Sequence, residues 1–130
     1  MIKNFNFYGF PQQNLTGSTI LGEYDGHKIS VSQMLIAIDN CVKFIKSHFN
    51  VKDNRYSYAI IALNIMRLRL YNKNHDKLTA EQVKCAIDVF HEIEDMKAQT
   101  DIEKRNNETI ANEFKMIIDF LDKLQKESQQ

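Results

Sequence analysis

The sequence predicts an all-α chain: an antiparallel four-helix bundle preceded by a short N-terminal β-hairpin or extended arm. Three observations point there. From Ser30 onward the apolar residues recur at helical spacing. The only proline (Pro11) and all four glycines (Gly9, Gly17, Gly22, Gly26) fall within residues 1–30. The stretches between the periodic segments are short and polar, which favours antiparallel neighbours. The expected organisation is residues 1–30 as an arm or hairpin packed on the bundle, and residues 31–130 as the bundle itself.

Within the first segment, Thr19–Tyr24 and His27–Val31 flank Asp25-Gly26. Asp-Gly between β-prone runs signals a two-residue hairpin turn, because both turn positions need φ > 0. A lone hairpin is marginal in water, so it must lie against the helices or give way to an irregular arm. Four aromatics precede it: Phe5, Phe7, Tyr8 and Phe10.

Ser30 or Ser32 can cap a first helix reaching about Phe49. Its apolar positions Val31, Met34, Leu35, Ile38, Cys41, Val42, Ile45 and Phe49 share one face. Asp53 is a plausible cap for a second helix over about 54–71. That helix is apolar on nearly every side, which suits the centre of a bundle or an interface between copies. Thr79-Ala80-Glu81-Gln82 and Thr100-Asp101-Ile102-Glu103 are both capping-box sequences. They open a third helix to about Ala98 and a fourth to about Glu127, with residues 99–108 a polar stretch where the two join or break. In the fourth, Ile110, Phe114, Ile117, Leu121 and Leu124 step by four and three, a core-facing seam.

Composition narrows the class. With 130 residues, 43% hydrophobic and 26% charged, the chain lies within the range of globular domains. Cys41 and Cys85 stand 44 positions apart with no Cys-x-x-Cys, so they read as two buried thiols in a reducing cytoplasm. The N-terminus has no cationic segment followed by an apolar core, so no signal peptide is expected. The longest apolar stretch, Tyr58 to Met66, is too short for a bilayer. Ile, Lys and Asn number 15, 13 and 12, against four Arg. That bias resembles an AT-rich genome such as a phage or mobile element.

Candidate chemistry is sparse. Asn72, Asn74 and Asp76 echo a calcium loop, but Lys77, Thr79 and Val83 occupy positions that need Gly, an aliphatic residue and a bidentate Glu. Asp88, His91 and Asp95 share a helix face, yet no second such pair completes a metal site. Neither a metal nor a cofactor is expected. Arg69 and His75, five residues apart, resemble the Arg–His signature of HEPN ribonucleases, small helical nucleases. The resemblance covers two residues, and Leu70 stands where that family usually has a polar residue. No nucleophile–base pair or phosphate loop is visible, so no enzyme is expected. The segment Met34 to Ile45 resembles the first long helix of flagellar-type export chaperones. Those proteins hold partner segments on a four-helix surface, which implies a binding role for this helix.

The net charge is zero, from 17 Lys/Arg and 17 Asp/Glu. It conceals a gradient: residues 1–77 carry ten basic and five acidic residues, and residues 78–130 seven and twelve. Such asymmetry suggests a surface for a charged partner. The expected role is a small cytoplasmic protein-binding module: an adaptor, inhibitor or chaperone-like protein. Its contacts would involve Lys43, Lys46, Arg55, Arg67 and Arg69, with Phe5, Phe7, Tyr8 and Phe10 as anchors or as a lid packed on the bundle. A homodimer through the second helix is a further expectation. The alternative is nucleic-acid binding by residues 43–77, against which overall neutrality counts. No membrane partner is expected.

Overall fold

The computed structural model describes residues 4–10, 15–71 and 77–128, with side chains through 125. Pro11, Lys73, the calcium-loop residues Asn72, Asn74 and Asp76, and His75 of the Arg–His reading lie outside them. Three short strands come first: β1 (Asn6–Phe7), β2 (Ile20–Tyr24) and β3 (His27–Ser30). Four helices follow: α1 (Val31–His48), α2 (Asn54–Leu70), α3 (Ala80–Glu94) and α4 (Asp101–Ser128).

The fold is α+β, which corrects the all-α expectation. The hairpin forms where Asp25-Gly26 requires it, with φ of 55° and 80° at the two turn residues. β1 then adds to it, pairing Asn6 with Glu23 and Phe7 with Gly22, so the sheet runs β1-β2-β3 and is antiparallel throughout. Gly22 makes this possible. A Cβ there would lie 2.1 Å from the Asn6 carbonyl oxygen, so only a residue without a side chain lets β1 approach. The register between β2 and β3 slips at Leu21, a bulge that leaves that side chain fully buried.

The helix caps follow the chemistry of their residues. Ser30 and Thr79 each form a complete capping box, with Gln33 and Gln82. The Asp53 side chain accepts from the Arg55 N–H. At α4, Thr100 caps Glu103, but the Glu103 carboxylate turns to the Gln99 N–H instead. α3 ends at Glu94, four residues earlier than its periodicity implied, and residues 95–100 break the two helices apart.

The helices pack as a closed ring, each against its two chain neighbours, with α4 returning to α1. The α2 helix is therefore a member of the ring and not its centre, which corrects one of the two places expected for it. Phe5, just before β1, and Leu21 and Ile29 of the sheet join the same apolar core as Met34, Ile38, Leu63, Phe114 and Phe120. The α4 helix is 28 residues long and α1 is 18, about 42 Å against 27 Å. Its N-terminal turns are accordingly exposed over most of 101–109.

Candidate partner-binding surface

The five cations singled out by sequence do not converge. Lys43 is exposed on α1 and pairs with Asp39, one turn back, at 2.9 Å. Lys46 is exposed one turn further on. Arg55 is engaged at the α2–α3 seam. It lies 3.3 Å from Glu92 and 3.8 Å from Asp53, donates to the Tyr56 hydroxyl and stacks over the Tyr56 ring. Tyr56 in turn donates to Glu92 at 3.0 Å, and burial with this acceptor raises its pKa. Arg67 and Arg69 are half-buried at the other end of α2, about 18 Å or more from Arg55.

The aromatics divide in the same way. Phe5 is 1% exposed and sits in the core, its ring centroid 5.1 Å from that of Phe120. It is thus no surface anchor in this fold. Phe7 is half-buried, edge-on to both Phe120 and Phe10. Tyr8 and Phe10 keep exposed rings, and the Tyr8 hydroxyl donates to Glu23, which holds its pKa up. These two lie at the sheet end of the bundle, whereas Lys43 is twelve residues along α1, about 18 Å away.

The concave feature that includes Lys43 is a groove between α1 and the N-terminal half of α4, with a volume of about 470 Å³. Phe44 and Ile110 form its apolar floor. Lys43, Asn40, Ser47 and His48 make one wall; Glu103, Asn106 and Glu113 make the other. The His48 ring stacks on Phe44 at 3.9 Å, and Nδ1 lies 3.0 Å from the Phe44 carbonyl oxygen. Asn40 donates to Glu113 at 3.3 Å across the groove. Burial raises the Glu113 pKa, and the Asn40 hydrogen bond works against that shift. Sequence reasoning missed Asn40, His48 and Glu113. The available signal was a polar residue beside each apolar seam: Asn40 next to Cys41, and Glu113 next to Phe114. A second, wider groove of about 820 Å³ lies on the opposite flank of α4, lined by Ile93, Met96, Lys97, Lys104 and Ala111.

The charge gradient becomes spatial through the ring order. The α1–α2 half, residues 31–71, carries six Lys/Arg and two acids; the α3–α4 half, residues 80–128, carries seven and twelve. The halves meet at two seams, α2–α3 and α1–α4, and the groove lies on the second.

Among the described residues no group of three or more His, Cys, Asp or Glu is placed to hold a metal ion, and no helix is long and apolar enough to cross a membrane. Compared with known proteins, the chain matches no family model, no curated protein and no solved structure.

Proposed function

We propose that this chain is a small protein-binding module, an adaptor or inhibitor, that holds a segment of another protein in the α1–α4 groove. One observation carries the reading. The groove has an apolar floor, Phe44 and Ile110, between a wall bearing Lys43 and a wall bearing Glu103 and Glu113. An amphipathic segment with charges of both signs fits such a cleft, its apolar residues on the floor and its charges fixing direction. Lys46 extends the basic rim. The free thiols Cys41 and Cys85 suit action in a reducing cytoplasm.

The test is capture from the source cell by the native chain and by the double reversal Lys43→Glu/Lys46→Glu, with mass spectrometry of what is held. A protein held by the native chain and lost by the variant supports the groove. The Lys43 ion pair with Asp39 is an exposed one, so the melting temperature should stay nearly constant. Equal capture by both removes this surface. Retention of DNA or RNA that weakens steeply with salt would favour the phosphate-binding alternative instead.

A further inference from the structure

Two acids stand on the α4 wall of the groove, and the chain answers them differently. Glu103 lies in the first turn of α4 and accepts the Gln99 N–H at 2.8 Å. The positive end of the helix dipole also faces it. Glu113 lies in mid-helix and has neither. Its neighbours one turn away on α4, Thr109, Ile110, Met116 and Ile117, carry no charge. Across the groove Asn40 donates to it at 3.3 Å, a long bond. The cation beside Asn40, Lys43, pairs with Asp39 instead. Among the described residues no Lys or Arg forms an ion pair with Glu113. The side chain is half-buried, and burial pushes its pKa up with no cation to hold it down.

We infer that the segment held in the α1–α4 groove carries an arginine whose guanidinium pairs with Glu113. This rests on the groove being the binding site and names the chemistry of what it takes. Charge complementarity chooses the occupant. A half-buried carboxylate without a cation is a cost the fold leaves in place, and a cation brought by the ligand removes it.

The approach to Glu113 chooses the kind of cation. Phe44 and Ile110 make an apolar floor, so an aliphatic stem can lie along it with its charged head at the wall. A guanidinium is more weakly hydrated than an ammonium, so it suits a half-buried partner better than lysine does. Its fork also matches the oxygens that remain. Asn40 engages Oε2 alone, which leaves Oε1 and a second lone pair on Oε2 to accept two N–H groups. A neutral side chain of the same shape would leave the charge unanswered, so the groove selects by charge at this position.

Two-dimensional NMR of the full chain tests it with a pair of capped peptides. One is acetyl-Leu-Leu-Arg-amide. The other has citrulline in place of arginine, a neutral urea of nearly the same shape. Titration to about 20 mM covers the weak affinity of so short a ligand. The arginine peptide should shift the amide signals of Asn40, Phe44, Ile110 and Glu113, and bind about fivefold or more tightly than the citrulline peptide. Glu113→Gln keeps an acceptor for Asn40, and it should bring the two peptides to equal affinity. Lys43→Glu/Lys46→Glu adds negative charge to the opposite wall, so the arginine peptide should bind it at least as well as the native chain. Equal affinity of the native chain for both peptides overturns the inference. So does an arginine preference that survives Glu113→Gln, or no shift at these four residues. If capture from the cell is lost in Lys43→Glu/Lys46→Glu while no arginine preference is seen, the groove remains a binding surface and the arginine contact alone is overturned.

Discussion

Phe5 and Phe120 pack ring against ring, 5.1 Å between centroids and tilted by 50°, at a point where the first strand meets the last helix. Both side chains are fully enclosed. This contact joins the sheet to the bundle across 115 residues of sequence.

Phe5→Ala is therefore expected to destabilise the whole fold and not a local arm. Removing a buried phenyl ring costs about 3–5 kcal/mol, which corresponds to roughly 10 °C or more in melting temperature for a chain of this size. Urea unfolding followed by far-ultraviolet circular dichroism gives the value. A loss below ~1 kcal/mol would mean that the N-terminal segment is not part of the cooperative unit.

Gly22→Ala is expected to detach β1. The added methyl would meet the Asn6 carbonyl oxygen and the Phe5 ring, and backbone cannot yield as a flexible side chain does. The cost is about 2–3 kcal/mol, on the scale of overpacking. Amide hydrogen exchange should show the Tyr8 N–H, which bonds the Leu21 carbonyl, losing protection while the helices keep theirs.

Glu113 gives a pH prediction. Burial makes it harder to ionise in the folded chain than in the unfolded one, so its folded pKa is raised. Between the ordinary carboxylate value and the raised one the folded state holds more protons, and stability falls as pH rises through that window. Glu113→Gln removes the ionisation and keeps an acceptor for Asn40. Its melting temperature should exceed the native value at neutral pH, with the gain vanishing below the carboxylate range. A variant less stable at neutral pH would show that the ionised carboxylate is favourably held.

The two thiols should be slow to react. Cys41 is completely enclosed, and burial, with Glu113 nearby, pushes its pKa up. Cys85 retains 9% exposure, its pKa also raised by burial. Since the thiolate is the reactive form, Ellman's reagent should label neither quickly in the native chain. Cys85 should react before Cys41, and both at once in denaturant. The reverse order would place Cys41 nearer the surface than the fold does.

Much of the fold is written in local chemistry. The starts of α1 and α3 follow from Ser30 and Thr79, whose capping boxes need only three residues of context. The start of α2 follows from Asp53 and the hairpin from Asp25-Gly26, again from neighbours in sequence. The strand β1 was not legible: two residues, Asn6 and Phe7, are too few to show a period. Its one trace was Gly22, a glycine inside a strand-like run, which marks a close backbone approach. The groove was illegible for a similar reason. Asn40 and Glu113 are 73 positions apart, and nothing local to either announces the other.

The charge gradient shows where the division falls. Sequence alone determined that the first half of the chain is basic and the second acidic, because charge is carried by residue type. Only the tertiary structure decided what that means in space. Ring packing puts α1 beside α4 and α2 beside α3, so Arg55 is taken up by Glu92 while Lys43 is left facing solvent at the edge of a groove. It likewise decided which side of the all-round apolar α2 stays bare, because a helix in a ring of four has one face that no neighbour can reach. Residue type and spacing act locally and can be read in order; which surfaces meet is set by packing between segments far apart in the chain.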